Sequence, residues 1–117
     1  MGEKMSLDEM KDALERIYEK ASEKVPEIKS WNKVYQFIIE GDGEFYVEIS
    51  GGKIKISSGK HQNPIATLSA KPEVMKKIIS GELDSMKAFM TRQLKITGNV
   101  LDTVNLKKLI DTGLGKE

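Results

Sequence analysis

Between Lys33 and Ser57 apolar and polar residues alternate with a period of two, interrupted only by Gly41-Asp42-Gly43 and Gly51-Gly52. A run with that period cannot bury one side as a helix; it resolves into strands whose side chains point alternately to opposite faces. Tyr35, Phe37 and Ile39 fall on one side of the first strand, and Phe45, Val47 and Ile49 on one side of the second, with Glu44, Tyr46 and Glu48 opposite. The third strand, Lys53 to Ser57, turns Ile54 and Ile56 inward and Lys53 and Lys55 outward. Glycine turns this short join antiparallel neighbours. The segment is therefore an antiparallel meander with one wet and one dry face, and the rest of the chain must cover the dry one.

The flanking segments supply that cover. Ser6-Leu7-Asp8-Glu9 fits a capping box, and Leu7, Met10, Leu14, Ile17, Ala21 and Val25 recur at helical spacing until Pro26 ends the helix. Ser58 to Pro64 is a polar loop, and Ile65 to Ala70 a short strand of weak pattern. Pro72 suits a first helical position, Val74, Met75, Ile78 and Ile79 form a stripe, and Gly81 closes the helix with a positive φ. Asp84 caps a helix over 85–91 with Met86, Phe89 and Met90 on one face, and Leu94 to Thr97 resumes strand alternation. Asn99 caps a last helix, Val100 to Thr112, with Val100, Leu101 and Val104 projecting one way and Leu106, Leu109 and Ile110 another. That helix is either covered on two sides or broken near Asn105. The expected fold is α+β: a five-stranded sheet, made of the meander and two later strands, with helices packed on one face. At 117 residues the chain suffices for one domain whose core is either solid or hollowed into a pocket, with residues 1–5 a flexible N-terminus and 113–117 a tail.

The residue inventory excludes most chemistry. Nineteen Lys and Arg against eighteen Asp and Glu leave no one-sided field of the kind nucleic acids attract. The absence of Cys removes disulfides, thiol nucleophiles and thiolate-bound zinc, and leans the localisation toward the cytoplasm. The longest aliphatic-aromatic run, Phe37-Ile38-Ile39, spans no bilayer. His61 lies in the polar loop without a nucleophile or ligand partner at useful spacing, and reads as solvated. Glu44 and Glu48 face solvent on a strand, outside any cleft that would separate their pKa values. Gly51-Gly52-Lys53 and Ser58-Gly59-Lys60 lack phosphate-loop spacing, and the aspartates are scattered among caps and turns, so neither a cofactor nor a metal is expected. Met1-Gly2 to Ser6 formally fits a myristoylation pattern, but Ser6 already has a role as a helix cap. The chain ends Gly115-Lys116-Glu117, which is not a peroxisomal signal.

What rises above background is flexible apolar bulk on two short helices: Met75, Ile78, Ile79, Met86, Phe89 and Met90. Such stripes either cap the sheet as core or line an adaptable cavity, since thioethers repack at little cost. The run Ala88-Phe89, Leu94-Lys95-Ile96-Thr97-Gly98-Asn99 and a Leu-rich helix resembles the closing segment of type-2 sterol carrier proteins, as do Ala66-Thr67-Leu68, Ile79-Ser80-Gly81-Glu82-Leu83 and the Gly-Asp-Gly hairpin. The resemblance covers about Leu7 to Leu109. It implies an apolar tunnel between sheet and helices that takes fatty acids, acyl-CoA, sterol-like or isoprenoid lipids, without catalysis.

The residues then expected to line the tunnel are the inward strand side chains Phe37, Phe45, Val47 and Ile96, with Val74, Ile78, Ile79, Met86, Phe89 and Met90 from the helices. Two positions depart from the family pattern: Ile65 stands where Asp is frequent, and Arg92 where Gly is frequent. An Arg there is expected to need no positive φ, and could offer its charge to a lipid head group at the tunnel mouth. The alternative function is a protein-interaction module with a filled core, accessory to a lipid-metabolising enzyme. A homodimer through the last helix would account for its two apolar faces. An enzyme lacks a candidate residue. Contact with membranes would be transient, with no integral segment.

Overall fold

The computed structural model describes residues 5–116. Gly2, the formal myristoylation acceptor, lies outside the described residues. The elements run α1 (Leu7–Lys24), a 3₁₀ helix (Pro26–Ser30), β1 (Lys33–Ile39), β2 (Gly43–Ser50), β3 (Lys53–Ser58) and β4 (Ala66–Ala70). They continue with α2 (Pro72–Ile79), α3 (Ser85–Met90), β5 (Leu94–Gly98) and α4 (Thr103–Gly113). The strands form one mixed sheet in the order β3-β2-β1-β4-β5. Only the β1–β4 pair is parallel, because the chain leaves the meander and returns beside β1 instead of extending from β3. The fold is α+β, as the period change along the chain predicts.

Local chemistry accounts for the element ends. The Ser6 hydroxyl accepts from the Glu9 amide at 3.1 Å while the Glu9 carboxylate accepts from the Ser6 amide at 2.9 Å, a complete capping box at the start of α1. Pro26 stops α1 and seeds the 3₁₀ helix, and Asp84 accepts from the Met86 amide at 2.8 Å to open α3. Pro72 opens α2, and Gly81 follows it at φ +83°.

The dry face carries Tyr35, Phe37 and Ile39 from β1, Phe45, Val47 and Ile49 from β2, and Leu68, Leu94 and Ile96 from β4 and β5, all buried. Phe45, Phe37, Leu68 and Ile96 occupy one register row across four strands, and Phe37 stacks on Phe45 with ring centroids 5.1 Å apart. On the other face Gln36 is fully buried because the 59–64 loop folds over it: its amide donates to the carbonyl of Gly59, and its oxygen accepts from the His61 amide. His61 is accordingly half-buried and edge-on to Tyr46, where the sequence suggests a solvated side chain.

The last helix differs from expectation. Asn99 caps a turn, accepting from the Asp102 amide at 3.0 Å, and α4 proper begins at Thr103 and runs unbroken past Asn105. Leu106, Leu109, Ile110 and Gly113 face inward, while Leu101 and Val104 are exposed. Gly113 sits where α4 crosses α1, so close that a Cβ there would overlap the Ile17 carbonyl.

Candidate functional site

The space between sheet and helices is where the sequence places a ligand, and α4 dominates its boundary. Among the described residues, three clefts open around that helix. The largest, about 530 Å³, lies between the 3₁₀ helix and α4. Val25, Ile28, Trp31 and Leu109 give it apolar walls, and Asn105, Lys108, Asp111, Thr112, Lys116 and Glu27 its polar edge. A second, about 220 Å³, is lined by Ile78, Leu83, Lys107 and Ile110 among others. A third, about 290 Å³, lies between α1, the end of α2 and the end of α4, with Ile17, Ile79 and Leu114 in its walls. Every one of these clefts has α4 or the residues following it as a wall.

Two polar clusters fix α4. The Asp102 carboxylate, at its first turn, accepts from Lys33 Nζ at 2.5 Å, from the Tyr35 hydroxyl at 2.6 Å and from Asn105 Nδ2 at 3.0 Å. Burial alone would raise its pKa, but the bonds from Lys33, Tyr35 and Asn105 outweigh that and hold it below the usual carboxylate range. Burial first, and then the bond to Asp102, push the Tyr35 phenol well above its ordinary value. Lys33 also lies 5.0 Å above the Trp31 ring. Toward the other end, Lys107 pairs with Asp111 at 2.6 Å and reaches Asp84 at 3.9 Å, which joins α4 to the cap of α3. The Asp111 hydrogen bond raises the pKa of Lys107 and keeps it charged.

The structure gathers only part of the expected lining. Phe37, Phe45, Val47 and Ile96 lie together on the dry face as close-packed core. Ile78 and Ile79 are buried and reach the second and third clefts, while Val74, Met86 and Phe89 are half-buried against the core. Met90 departs from its expected interior position: it is 80% exposed, because α3 turns its small residues Ser85 and Ala88 inward. Arg92 corrects a second expectation. It adopts φ +66°, keeping the left-handed turn in which Gly would be unstrained, and it lines none of the three clefts. The walls of the largest groove were absent from the sequence candidates. Trp31, the sole tryptophan, set beside the Pro26 helix break, is the signal that could have found it.

Among the described residues no group of three or more His, Cys, Asp or Glu is disposed to hold a metal, and no helix is long and apolar enough to cross a membrane.

Comparison with known proteins follows the geometry. Residues 10–111 match the model of the SCP-2 sterol transfer family. A curated relative, hydroxysteroid dehydrogenase-like protein 2 of Bos taurus, is 31% identical over 88 residues, covering 72% of this chain and 21% of that protein. The chain thus spans about a fifth of the length of this relative. Among solved structures, sterol carrier protein domain 2 of Helicoverpa armigera superposes with a TM-score of 0.72 at 26% identity, covering 97% of this chain and 91% of that one. Sterol carrier protein 2 of Aedes aegypti, solved in complex with the C16 fatty acid palmitate, gives 0.62 at 18% identity over 86% of this chain and 96% of that one.

Proposed function

The chain belongs to the SCP-2 sterol transfer family, and from that premise we propose that it is a non-catalytic cytoplasmic carrier that binds a single-chain lipid of the fatty-acid class between the 3₁₀ helix and α4. The observation that carries this reading is the groove itself. Its volume of about 530 Å³ falls within the range of small-molecule sites, and it combines an apolar floor with a polar edge in which Lys108 and Lys116 stand beside Glu27 and Asp111. An acyl chain laid along Val25, Ile28, Trp31 and Leu109 would leave its carboxylate within reach of Lys108 or Lys116. Each buried methylene contributes about 0.8 kcal/mol, so ten offer roughly 8 kcal/mol before ordering costs.

The palmitate bound by the Aedes protein, which shares the fold, supports the ligand class. An outward shift of α4 would join the groove to the smaller clefts and extend it toward Ile78, Ile79, Phe37, Phe45, Val47 and Ile96, with Val74, Met86 and Phe89 at its margin. Acyl-CoA, sterol-like and isoprenoid ligands would need that wider space. The match to one fifth of a dehydrogenase-like protein favours a second reading in which such a carrier domain serves an attached or neighbouring enzyme.

Titration with palmitate, read by the emission of Trp31 and by native mass spectrometry, tests the first reading. The expected result is one palmitate per chain and a saturable change in Trp31 emission, both lost when Thr112→Phe fills the groove. No bound palmitate, or binding that neither Trp31 nor Thr112→Phe senses, would overturn the assignment to this groove.

A further inference from the structure

We propose that the groove between the 3₁₀ helix and α4 has a second polar pole, made by Asn105 and Trp31, and that this pole selects an acyl ligand bearing a hydroxyl at the far end of its chain, an ω-hydroxy fatty acid. The inference rests on the carrier reading and deepens it, because it names the second functional group of the ligand.

Two hydrogen-bonding groups in the groove walls carry the proposal. Asn105 lines the groove from α4, and its Nδ2 donates to Asp102 Oδ1 at 3.0 Å. That carboxylate is paired with Lys33 and accepts from Tyr35, so it can only accept, and the amide of Asn105 must turn its nitrogen toward it. The other arm of the amide, Oδ1, meets no donor among the described residues. Its role as an acceptor is therefore fixed by the Asp102 cluster behind it. Trp31 lines the same groove, and Lys33 Nζ meets the face of its ring and not its N–H. The indole N–H has no acceptor among the described residues. The groove thus offers one acceptor and one donor, both without partners.

A hydroxyl both donates and accepts, so one hydroxyl can give its proton to Asn105 Oδ1 and accept from Trp31 Nε1. A carboxylate suits this pole poorly, since it only accepts and would face an amide oxygen with the Asp102 charge behind it. A terminal methyl would expel water from both groups and replace neither bond. The carboxylate of the same ligand belongs at the opposite end. Asn105, Leu109 and Thr112 follow one another at helical spacing along the wall, and Lys116 stands beyond the end of α4. Asn105 and Gly113 are about 12 Å apart along the helix axis at 1.5 Å per residue. Lys116 Nζ donates to the Gly81 carbonyl and keeps two further protons for a carboxylate. A chain anchored there runs over Leu109 and ends at Asn105.

Isothermal titration calorimetry of the full chain with palmitate, dodecanoate and 12-hydroxydodecanoate tests the proposal. The wild type is expected to bind 12-hydroxydodecanoate at least as tightly as dodecanoate, although an unpaired hydroxyl carried into an apolar groove should weaken binding about tenfold or more. Asn105→Leu, which keeps the approximate shape and removes the acceptor, should lower the affinity for the hydroxy acid at least tenfold relative to dodecanoate. Trp31→Phe, which keeps a ring and removes the N–H, should lower the same ratio about threefold. Both ligands are read on the same variant, so a general loss of stability cancels in the ratio, and the wild-type comparison needs no variant. Weaker binding of 12-hydroxydodecanoate than of dodecanoate to the wild type, or a ratio that Asn105→Leu leaves unchanged, would overturn the second pole while palmitate binding keeps the carrier reading intact. Failure of all three acids to bind would overturn the carrier reading and the pole with it.

Discussion

Asp102→Ala should be among the most damaging single changes outside the apolar core. The carboxylate accepts from Lys33, Tyr35 and Asn105, so one side chain fastens the first turn of α4 to β1. Removing one partner of a buried ion pair typically costs about 3–5 kcal/mol, because the other charge is left without compensation. The side chains of Lys33 and Asp102 retain 16% and 10% exposure, so water can partly restore the lysine, and the lower end, about 3 kcal/mol, is expected. A domain of this size has a total stability of roughly 5–15 kcal/mol, so this should be a large fraction, visible as a fall in Tm of about 12 °C.

Urea unfolding followed by far-UV circular dichroism gives the number directly, provided the m-value is unchanged. Lys33→Met and the double variant complete a cycle, with an expected coupling of about 2 kcal/mol. A loss below about 1 kcal/mol for Asp102→Ala, or additive single changes, would refute the idea that this cluster locks α4. Acid dependence checks the same group. Its folded pKa is depressed, so its contribution is complete above the unfolded carboxylate value near 4 and is lost as pH falls through the folded value. Asp102→Asn should therefore flatten the decline in stability below about pH 4.

Two further substitutions separate local propensity from packing. Gly113→Ala should destabilise by about 2 kcal/mol or more in thermal unfolding, although Ala is the better helix former, because the added methyl has no room against Ile17; an increase in Tm would show that the helix crossing is looser than described. Tyr18→Phe should cost nothing, or stabilise by up to about 1 kcal/mol, because the Tyr18 hydroxyl is buried without a hydrogen-bond partner among the described residues; a clear loss of stability would reveal a partner.

The sheet was legible because its signal is strict. A one-residue slip would send Phe37, Phe45 and Ile96 to the wet face, so alternation and glycine turns define strands and faces together. The parallel return of β4 beside β1 carries no comparable signal, since Ala66 to Ala70 is short and small. In α3, six residues make fewer than two turns, and the inward face was set by how near the backbone approaches β5. Ala88 and Ser85 permit that approach, so Met90 points away although it has the greater bulk. The start of α4 was misplaced because an Asn side chain can cap a turn as readily as a helix. The largest groove escaped the sequence because its walls come from a helix end, a 3₁₀ turn and α4, segments with no shared period.

The inner side of α4 and its first turn link stability to ligand release. Its inner side closes the clefts, and its first turn is held by Asp102. If opening the groove breaks the Asp102 cluster, a cost of about 3 kcal/mol confines the open form to roughly one molecule in 150 in free solution. Asp102→Ala should then speed palmitate release from the groove. A release rate that Asp102→Ala leaves unchanged would show that the cluster does not gate the groove, leaving α4 a fixed wall.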